Sequence, residues 1–158
     1  MLRSDGDKMK KVVLIILTVF FLGIIGLIVS IPIVNNIISD KVAADVKSTP
    51  LPEGTEYIEK FSKAGKVVGN GNGMQYLGGI LIKSDLPLES IQKYYQQYTD
   101  KDYEYIVEKQ SGNNISVIEH GNLKLKSDVE GDDYYIVYSW GGYYGFWSEF
   151  DIRGQGAF

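Results

Sequence analysis

The sequence contains no cysteine and a single histidine, His120. Thiol catalysis, disulfides and iron–sulfur clusters are therefore excluded, and a zinc site, which usually needs several His or Cys ligands, is not expected. A Ser-His-Asp triad would have to use His120, but the G-x-S-x-G motif that presents the serine in many hydrolases is absent. We interpret His120 as a loop residue and predict neither a metal nor a cofactor.

Basic charge is scarce over most of the chain. Of the 16 Lys and Arg residues four precede residue 12, and of the 20 Asp and Glu residues two do, so residues 12–158 carry a net charge of −6. Nucleic acid attracts basic surfaces, and anionic lipid attracts clusters of Lys and Arg. Nucleic acid is therefore not an expected partner, and charge gives no reason to expect docking on anionic lipid.

Residues 12–34, VVLIILTVFFLGIIGLIVSIPIV, form a long apolar run in which 18 of the 23 residues are Val, Ile, Leu or Phe. A helix of this length covers roughly 34 Å, enough to cross a hydrocarbon core of about 30 Å. We predict a transmembrane helix. The alternative is a cleaved signal peptide, but the run exceeds the usual apolar core of about 7–15 residues and no A-x-A cleavage site follows it.

The basic residues around this run predict its direction. Four of them, Arg3, Lys8, Lys10 and Lys11, precede it, whereas only Lys41 and Lys47 follow closely. The positive-inside rule then places the N-terminus in the cytoplasm of a single-pass protein of the cell membrane. The predicted organisation is a cytoplasmic tail at 1–11, a transmembrane helix at 12–34, a linker with Pro50 and Pro52 at 35–52, and an extracytoplasmic domain at 53–158. The first residues of the linker can also continue the helix.

The patterns after residue 53 predict an α+β domain in the order β-β-α-β-β-β, with one helix packed on a mostly antiparallel sheet. The segment 55–68 fits either a strand or a helix, and we favour a strand. The other predicted elements are a buried strand at 74–83, a helix at 85–99, strands at 103–109 and 134–140, short strands at 115–118 and 123–125, and an edge strand in the tail after Phe150. Gly78 and Gly79 indicate a bulge or a place where another element packs against the backbone.

Two further motifs suggest a ligand but fit a turn better. The run GNGNG at 69–73 resembles a phosphate-binding loop, yet a strand follows it and G-K-[ST] is absent, so we predict a hairpin turn. The acidic segment DVEGDD at 128–133 does not match a calcium-binding loop, and we predict a solvated turn. Asp151 and Arg153 are interpreted as a local ion pair or edge contact and not as a catalytic couple.

Four aromatic residues near the C-terminus, Tyr143, Tyr144, Phe146 and Trp147, form the most informative cluster. Such rings either fill the core of the sheet or, when exposed, stack on sugars and anchor partner proteins. We predict an interaction domain that uses these residues, with the membrane and an envelope protein or glycan as partners, and we lean against an enzyme. The alternative is a membrane-tethered hydrolase using Asp and Glu carboxylates, whose separation depends on the fold.

Three segments, GNGNGMQYLGGILIKSDLPLE, YYIVYSW and FDIRG, resemble a family of small uncharacterised proteins of Gram-positive bacteria that have one N-terminal membrane helix. The resemblance extends from about Pro50 to the C-terminus. It implies a single-pass topology in a bacterial cell envelope. It implies no activity, cofactor or catalytic residue.

Overall fold

A computed structural model describes residues 2–69, 73–101, 104–142, 145–151 and 153. Within these residues the elements are α1 (Leu2–Ser48), β1 (Thr55–Gly65), β2 (Gln75–Ser84), α2 (Leu88–Gln96), β3 (Ile106–Lys109), β4 (Tyr134–Gly141) and α3 (Phe146–Glu149). The four strands form one antiparallel sheet in the order β1-β2-β4-β3. The predicted α+β class with an antiparallel sheet is confirmed.

The two parts of α1 have different surroundings. Residues 7–29, which we call the exposed half, are exposed on every side of the helix. Residues 31–48, the packed half, bury one stripe of side chains against the sheet. The stripe consists of Ile31, Asn35, Ser39, Val42, Ala43 and Val46. Apart from the adjacent Val42 and Ala43, these residues recur every three or four positions, which places them on one face of the helix.

Most of the predicted linker at 35–52 is helical, which is the continuation that the sequence leaves open. The helix continues through Ser48, and the sheet covers the buried stripe of its packed half. Residues 49–54 alone separate α1 from β1. The helix, which the sequence allows to continue beyond the apolar run, therefore extends into the core of the domain, because its apolar and small side chains pack against the sheet there.

Within the described residues α1 is the one helix that is long and apolar enough to cross a membrane. A signal sequence near an N-terminus would meet the same criteria of length and composition. The helix is therefore a candidate for either of the two.

The sheet is covered on both faces. On one face the packed half of α1 and the helix α2 cover Ile80, Ile82 and Val137, with Val46 and Ile91 in the same cluster. On the other face a segment without regular structure packs its apolar side chains against β2 and β4; this second cluster includes Leu77, Leu81, Ile115, Leu125, Val129 and Ile136. The central strand β2 is consequently buried on both sides, as its apolar sequence predicts.

Gly78 marks the closest approach of α1 to the sheet. A Cβ atom at Gly78 would lie 2.7 Å from the carbonyl carbon of Val42, and one at Gly79 would lie 2.6 Å from the carbonyl oxygen of Val137. The prediction that another element packs against this backbone is confirmed. A break in the register of the sheet occurs instead on β1, between Tyr57 and Glu59.

Several predicted boundaries change. The segment 55–68 is a strand as favoured, ending at Gly65, and it forms the predicted hairpin with β2. The helix predicted at 85–99 spans Leu88–Gln96, with Pro87 at its N-terminal cap, where a missing N–H costs little.

The strands predicted at 115–118 and 123–125 are wrong. Among the described residues this region has one isolated bridge, between Asn114 and Lys124. Ile115 and Leu125 are buried, but they cover the face of the sheet instead of pairing with its edge. The tail residues 152 and 154–158, for which an edge strand was predicted, lie outside the described residues.

Candidate functional site

The short helix α3 carries two of the four predicted binding residues. Phe146 is 43% exposed and Trp147 is partly buried. Gly145 precedes the helix with a φ of 53°, a left-handed conformation that glycine adopts without strain. Tyr143 and Tyr144 lie outside the described residues. The structure thus places Phe146 and Trp147 beside α1 and not inside the core of the sheet.

Phe146 and Phe150 form an apolar groove with the end of the exposed half of α1. The centroids of the two phenyl rings are 4.7 Å apart, and Trp147 meets Phe146 edge to face at 5.3 Å. Phe150 is 58% exposed. The groove has a volume of about 340 Å³, and its lining consists of Leu27, Ile28, Ile31, Pro32, Phe146 and Phe150.

A buried polar network holds α3 against α1. The side-chain amide of Asn35 donates to the carbonyl oxygen of Trp147 at 2.8 Å and to the Oδ2 of Asp151 at 2.6 Å. The Tyr76 hydroxyl donates to the Oδ1 of Asn35 at 2.7 Å and lies 2.7 Å from the Ser148 Oγ. The side chain of Asn35 therefore joins α1 to β2 and to the C-terminal segment.

Arg153 closes the same network at the surface. Its guanidinium pairs with Asp151 at 2.7 Å, as the sequence predicts, and donates to the Oδ1 of Asn36 at 2.7 Å. Burial of Asp151 favours its neutral form, but the hydrogen bonds from Arg153 and Asn35 outweigh that effect and lower the pKa of the carboxyl below its usual value. The C-terminal segment is thus fixed to α1 by hydrogen bonds that join its Asp151–Arg153 pair to Asn35 and Asn36.

Sequence reasoning missed Asn35, Tyr76 and Ser148. The sequence contains one indication that Asn35 is buried, because it lies four residues from both Ile31 and Ser39, on the same face of the helix. A buried amide in such a stripe needs hydrogen-bonding partners. The sequence does not reveal those partners, because they lie 41 to 116 residues away along the chain.

A second, polar depression lies next to the hydrogen-bond network of Asn35 and Arg153, and Lys63 and Arg153 are among the residues that line it. Burial and the nearby positive charge of Arg153 lower the pKa of the Lys63 ammonium. Asp40, in the same depression, pairs with Lys60 at 2.8 Å. Its lining consists of Asn36, Ser39, Asp40, Ser62, Lys63, Ala64 and Arg153.

His120 has a partner in a neighbouring turn. Its Nε2 lies 2.9 Å from the carbonyl oxygen of Gly69, and the Gly69 amide donates to the Glu119 carboxylate at 2.7 Å. These contacts fasten the loop around residue 120 to the turn after β1. Of the predicted GNGNG turn, residues 70–72 lie outside the described part of the chain.

The acidic segment 128–133 is paired with lysines of the sheet. Asp133 lies 3.3 Å from Lys83, and Asp132 lies 3.0 Å from Lys109. In the described part of the chain, no group of three or more His, Cys, Asp or Glu side chains is arranged to hold a metal ion.

Two carboxylates line one open groove at the far end of β1 and β2. Glu56 and Asp85 are both exposed there, and the hydroxyls of the residues that precede them, Thr55 and Ser84, are 2.9 Å apart. The groove is shallow, and its lining consists of Gly54, Thr55, Glu56, Lys83, Ser84 and Asp85. It lacks the apolar walls that commonly tune a carboxyl group for acid catalysis.

Fold and site together define a class: a small α+β protein in which one long helix is apolar and exposed at one end and part of the core at the other. No family model matches the chain, and neither a curated protein nor a solved structure matches it. The resemblance to a bacterial membrane-protein family therefore stays a prediction.

Proposed function

We propose that this chain is a single-pass protein of the cell membrane, with a cytoplasmic N-terminus and an extracytoplasmic domain that acts by binding. The observation that carries the proposal is the exposed half of α1. Its apolar side chains point outward on all sides, and large residues such as Leu14, Phe20 and Leu22 are more than half exposed. Hydrocarbon is the solvent that suits such a surface.

The continuity of α1 supports an anchor that is retained. The helix that carries the apolar run also supplies Val42, Ala43 and Val46 to the core of the domain. The domain consequently sits on the end of its anchor without a flexible connection. Such an attachment holds the surface around α3 at a fixed position relative to the membrane.

The aromatic segment at 143–150 is the proposed binding surface. Phe146 is exposed, Trp147 is partly exposed, and both lie next to the end of the apolar run. A partner that binds to this segment therefore lies at the membrane surface. This position supports the membrane itself and an envelope protein as partners more than a glycan located far from the membrane.

The topology is tested with two reporters fused after Phe158, one active only outside the cytoplasm and one active only inside it. We expect activity from the first reporter alone. Activity from the second alone would contradict the proposed orientation.

Binding is tested with a photo-crosslinking amino acid at position 147 in living cells, and with the same amino acid at Glu89 as the control. Glu89 is exposed on α2, away from α3. We expect one reproducible adduct, protein or lipid, from position 147 and none from position 89. Identical adducts from both positions would contradict a binding surface at α3.

A membrane-tethered hydrolase is the second candidate, and the observation in its favour is the presence of Glu56 and Asp85 in one groove. The exposure of both side chains and the openness of the groove favour the binding function instead. If the protein were a hydrolase, Glu56→Gln and Asp85→Asn would each abolish its hydrolytic activity without changing the amount of protein in the cell.

A further inference from the structure

We propose that α3 inserts into the outer leaflet of the membrane, where the phenyl rings of Phe146 and Phe150 contact lipid acyl chains. The inference rests on the proposed membrane anchor and names the partner of the same aromatic surface. It makes the protein a two-point membrane binder, with the apolar run as the first point and α3 as the second.

The height of α3 along the anchor is the first argument. Leu27 and Ile31 lie 15 and 19 residues beyond Val12, which corresponds to about 22 Å and 28 Å at the rise of an α-helix. If the hydrocarbon core begins at Val12 and is about 30 Å thick, both residues lie inside its outer edge. Phe146 and Phe150 line a groove with these residues and therefore lie at the same depth.

The order of side chains along the anchor is the second argument. The phenyl rings lie at the level of Leu27 to Pro32, whereas Asn35 holds the main-chain carbonyl of Trp147 and Asn36 holds the guanidinium of Arg153, about one turn further out. Apolar rings followed by a charged pair is the order of side chains expected at a membrane surface, since apolar groups prefer the acyl chains and charges prefer the headgroups.

The exposure of the rings is the third argument. Phe146 and Phe150 remain 43% and 58% exposed, although their neighbour Ser148 on the same short helix is buried. The exposed surface of the rings is continuous with the exposed half of α1 through Leu27 and Ile28. The acyl chains that surround α1 would therefore cover the rings as well.

The absence of cysteine makes a direct test possible, because a single introduced cysteine is the one site that a spin label can modify. The full-length variants Phe146→Cys, Phe150→Cys, Phe20→Cys and Glu89→Cys are labelled with a nitroxide and reconstituted into phosphatidylcholine vesicles. Collision of each label with oxygen, which concentrates in lipid, is compared with collision with a water-soluble nickel complex. Phe20→Cys is the matched control within the anchor, and Glu89→Cys is the aqueous control.

We expect the ratio of oxygen to nickel collisions at positions 146 and 150 to be several-fold higher than at position 89 and below that at position 20. If position 20 reports lipid and positions 146 and 150 report water, the inference is overturned while the anchor stands. If position 20 also reports water, the anchor and the inference both fail. Shielding of position 146 from both reagents would show a protein cover and would likewise overturn the inference.

A second measurement leaves both phenylalanines in place. The chain has two tryptophans, and Trp140→Phe leaves Trp147 as the single fluorophore. Lipids brominated near the start of the acyl chain should quench Trp147 more strongly than lipids brominated near the chain end. In the control variant Trp147→Phe the remaining Trp140, which packs on the loop-covered face of the sheet, should be quenched less. Equal quenching of the two tryptophans would contradict insertion of α3.

Discussion

The exposed half and the packed half of α1 are parts of one helix, but they differ in how apolar side chains are distributed around the helix axis. From Val12 on, the exposed half places apolar side chains in every direction, so it has no preferred face. The packed half places small or apolar side chains such as Ala43 and Val46 on one face and charged residues such as Asp40 and Lys41 on the other. The first design suits a uniform apolar solvent, and the second suits a boundary between a protein core and water.

The comparison shows that the length of α1 alone does not define where its exposed, apolar part ends. The change of design occurs near Ile31, and the polar network around Asn35 lies immediately after it. The C-terminal segment is fastened at this same level through Asp151 and Arg153. The junction therefore holds three parts of the chain together: α1, β2 and the segment with α3.

The largest loss of stability should come from replacing Gly78, which contacts the packed half of α1. Gly78→Ala adds a Cβ atom within 2.7 Å of the Val42 backbone, which α1 can relieve only by leaving the sheet. We expect a loss of about 3 kcal/mol of unfolding free energy, at the upper end for overpacking a core. Urea unfolding of the purified protein, followed by fluorescence, measures it.

Gly26→Ala is the matched control, because nothing lies within 4 Å of a Cβ atom at Gly26 in the exposed half. It should leave unfolding of the domain unchanged. Equal stability of Gly78→Ala and Gly26→Ala would contradict the close packing of α1 on β2.

Valine replacements test the same comparison with a smaller change. Val46 is fully buried against the sheet, whereas Val19 is 64% exposed. Val46→Ala removes two methyl groups from the core and should cost about 2 kcal/mol. Val19→Ala should have no effect on unfolding of the domain, and the same urea titration compares them. A similar cost for both would show that the two halves do not differ in packing.

Neighbouring asparagines test the junction. Asn35→Ala removes three hydrogen bonds and leaves buried partners, so we expect a loss of about 1 to 3 kcal/mol and faster amide exchange in residues 145–151. Asn36→Ala removes one hydrogen bond between exposed groups and should change exchange little. Hydrogen exchange by mass spectrometry compares the two variants. Unchanged exchange in Asn35→Ala would show that this network does not hold residues 145–151 against α1.

The smallest effect should be a pH dependence of the junction. The pKa of Asp151 is lower in the folded protein than the usual value of about 3.9, so its stabilising contribution is complete above that value and is lost as the pH falls through the lower folded pKa. We expect exchange in residues 145–151 to rise below about pH 4, after correction for intrinsic rates, before β2 is affected.

Asp151→Asn should remove this pH dependence, whereas Asp128→Asn, at an exposed position on the opposite side of the sheet, should keep it. A pH dependence that survives in Asp151→Asn would assign the effect to another carboxyl group.

The local patterns of the sequence predict much of the fold. Alternation and β-branched residues locate β2 and β4, helical spacing locates α2, and paired glycines at 78 and 79 mark the close approach of another element. The segment 115–125 is the clear failure, because a short apolar run looks the same whether it pairs with a strand or covers the face of a sheet. Its role depends on which surface is left uncovered, and that is a property of the assembled domain.

For the site, the sequence predicts the Asp151–Arg153 pair and an informative aromatic segment, but not where that segment lies. The pair is two residues apart, so local geometry is enough to form it. The groove of Phe146 and Phe150 joins residues more than 110 positions apart, which no local pattern reports.

The sequence by itself determines that this protein has a long apolar helix and an antiparallel α+β domain, because both follow from side-chain periodicity over a few residues. The tertiary structure alone decides that the helix ends at Ser48, that Asn35 is buried, and that α3 lies beside Leu27 and Ile31. Those features depend on which distant surfaces meet, since the periodicity of a helix indicates that one face is buried but not which element covers it.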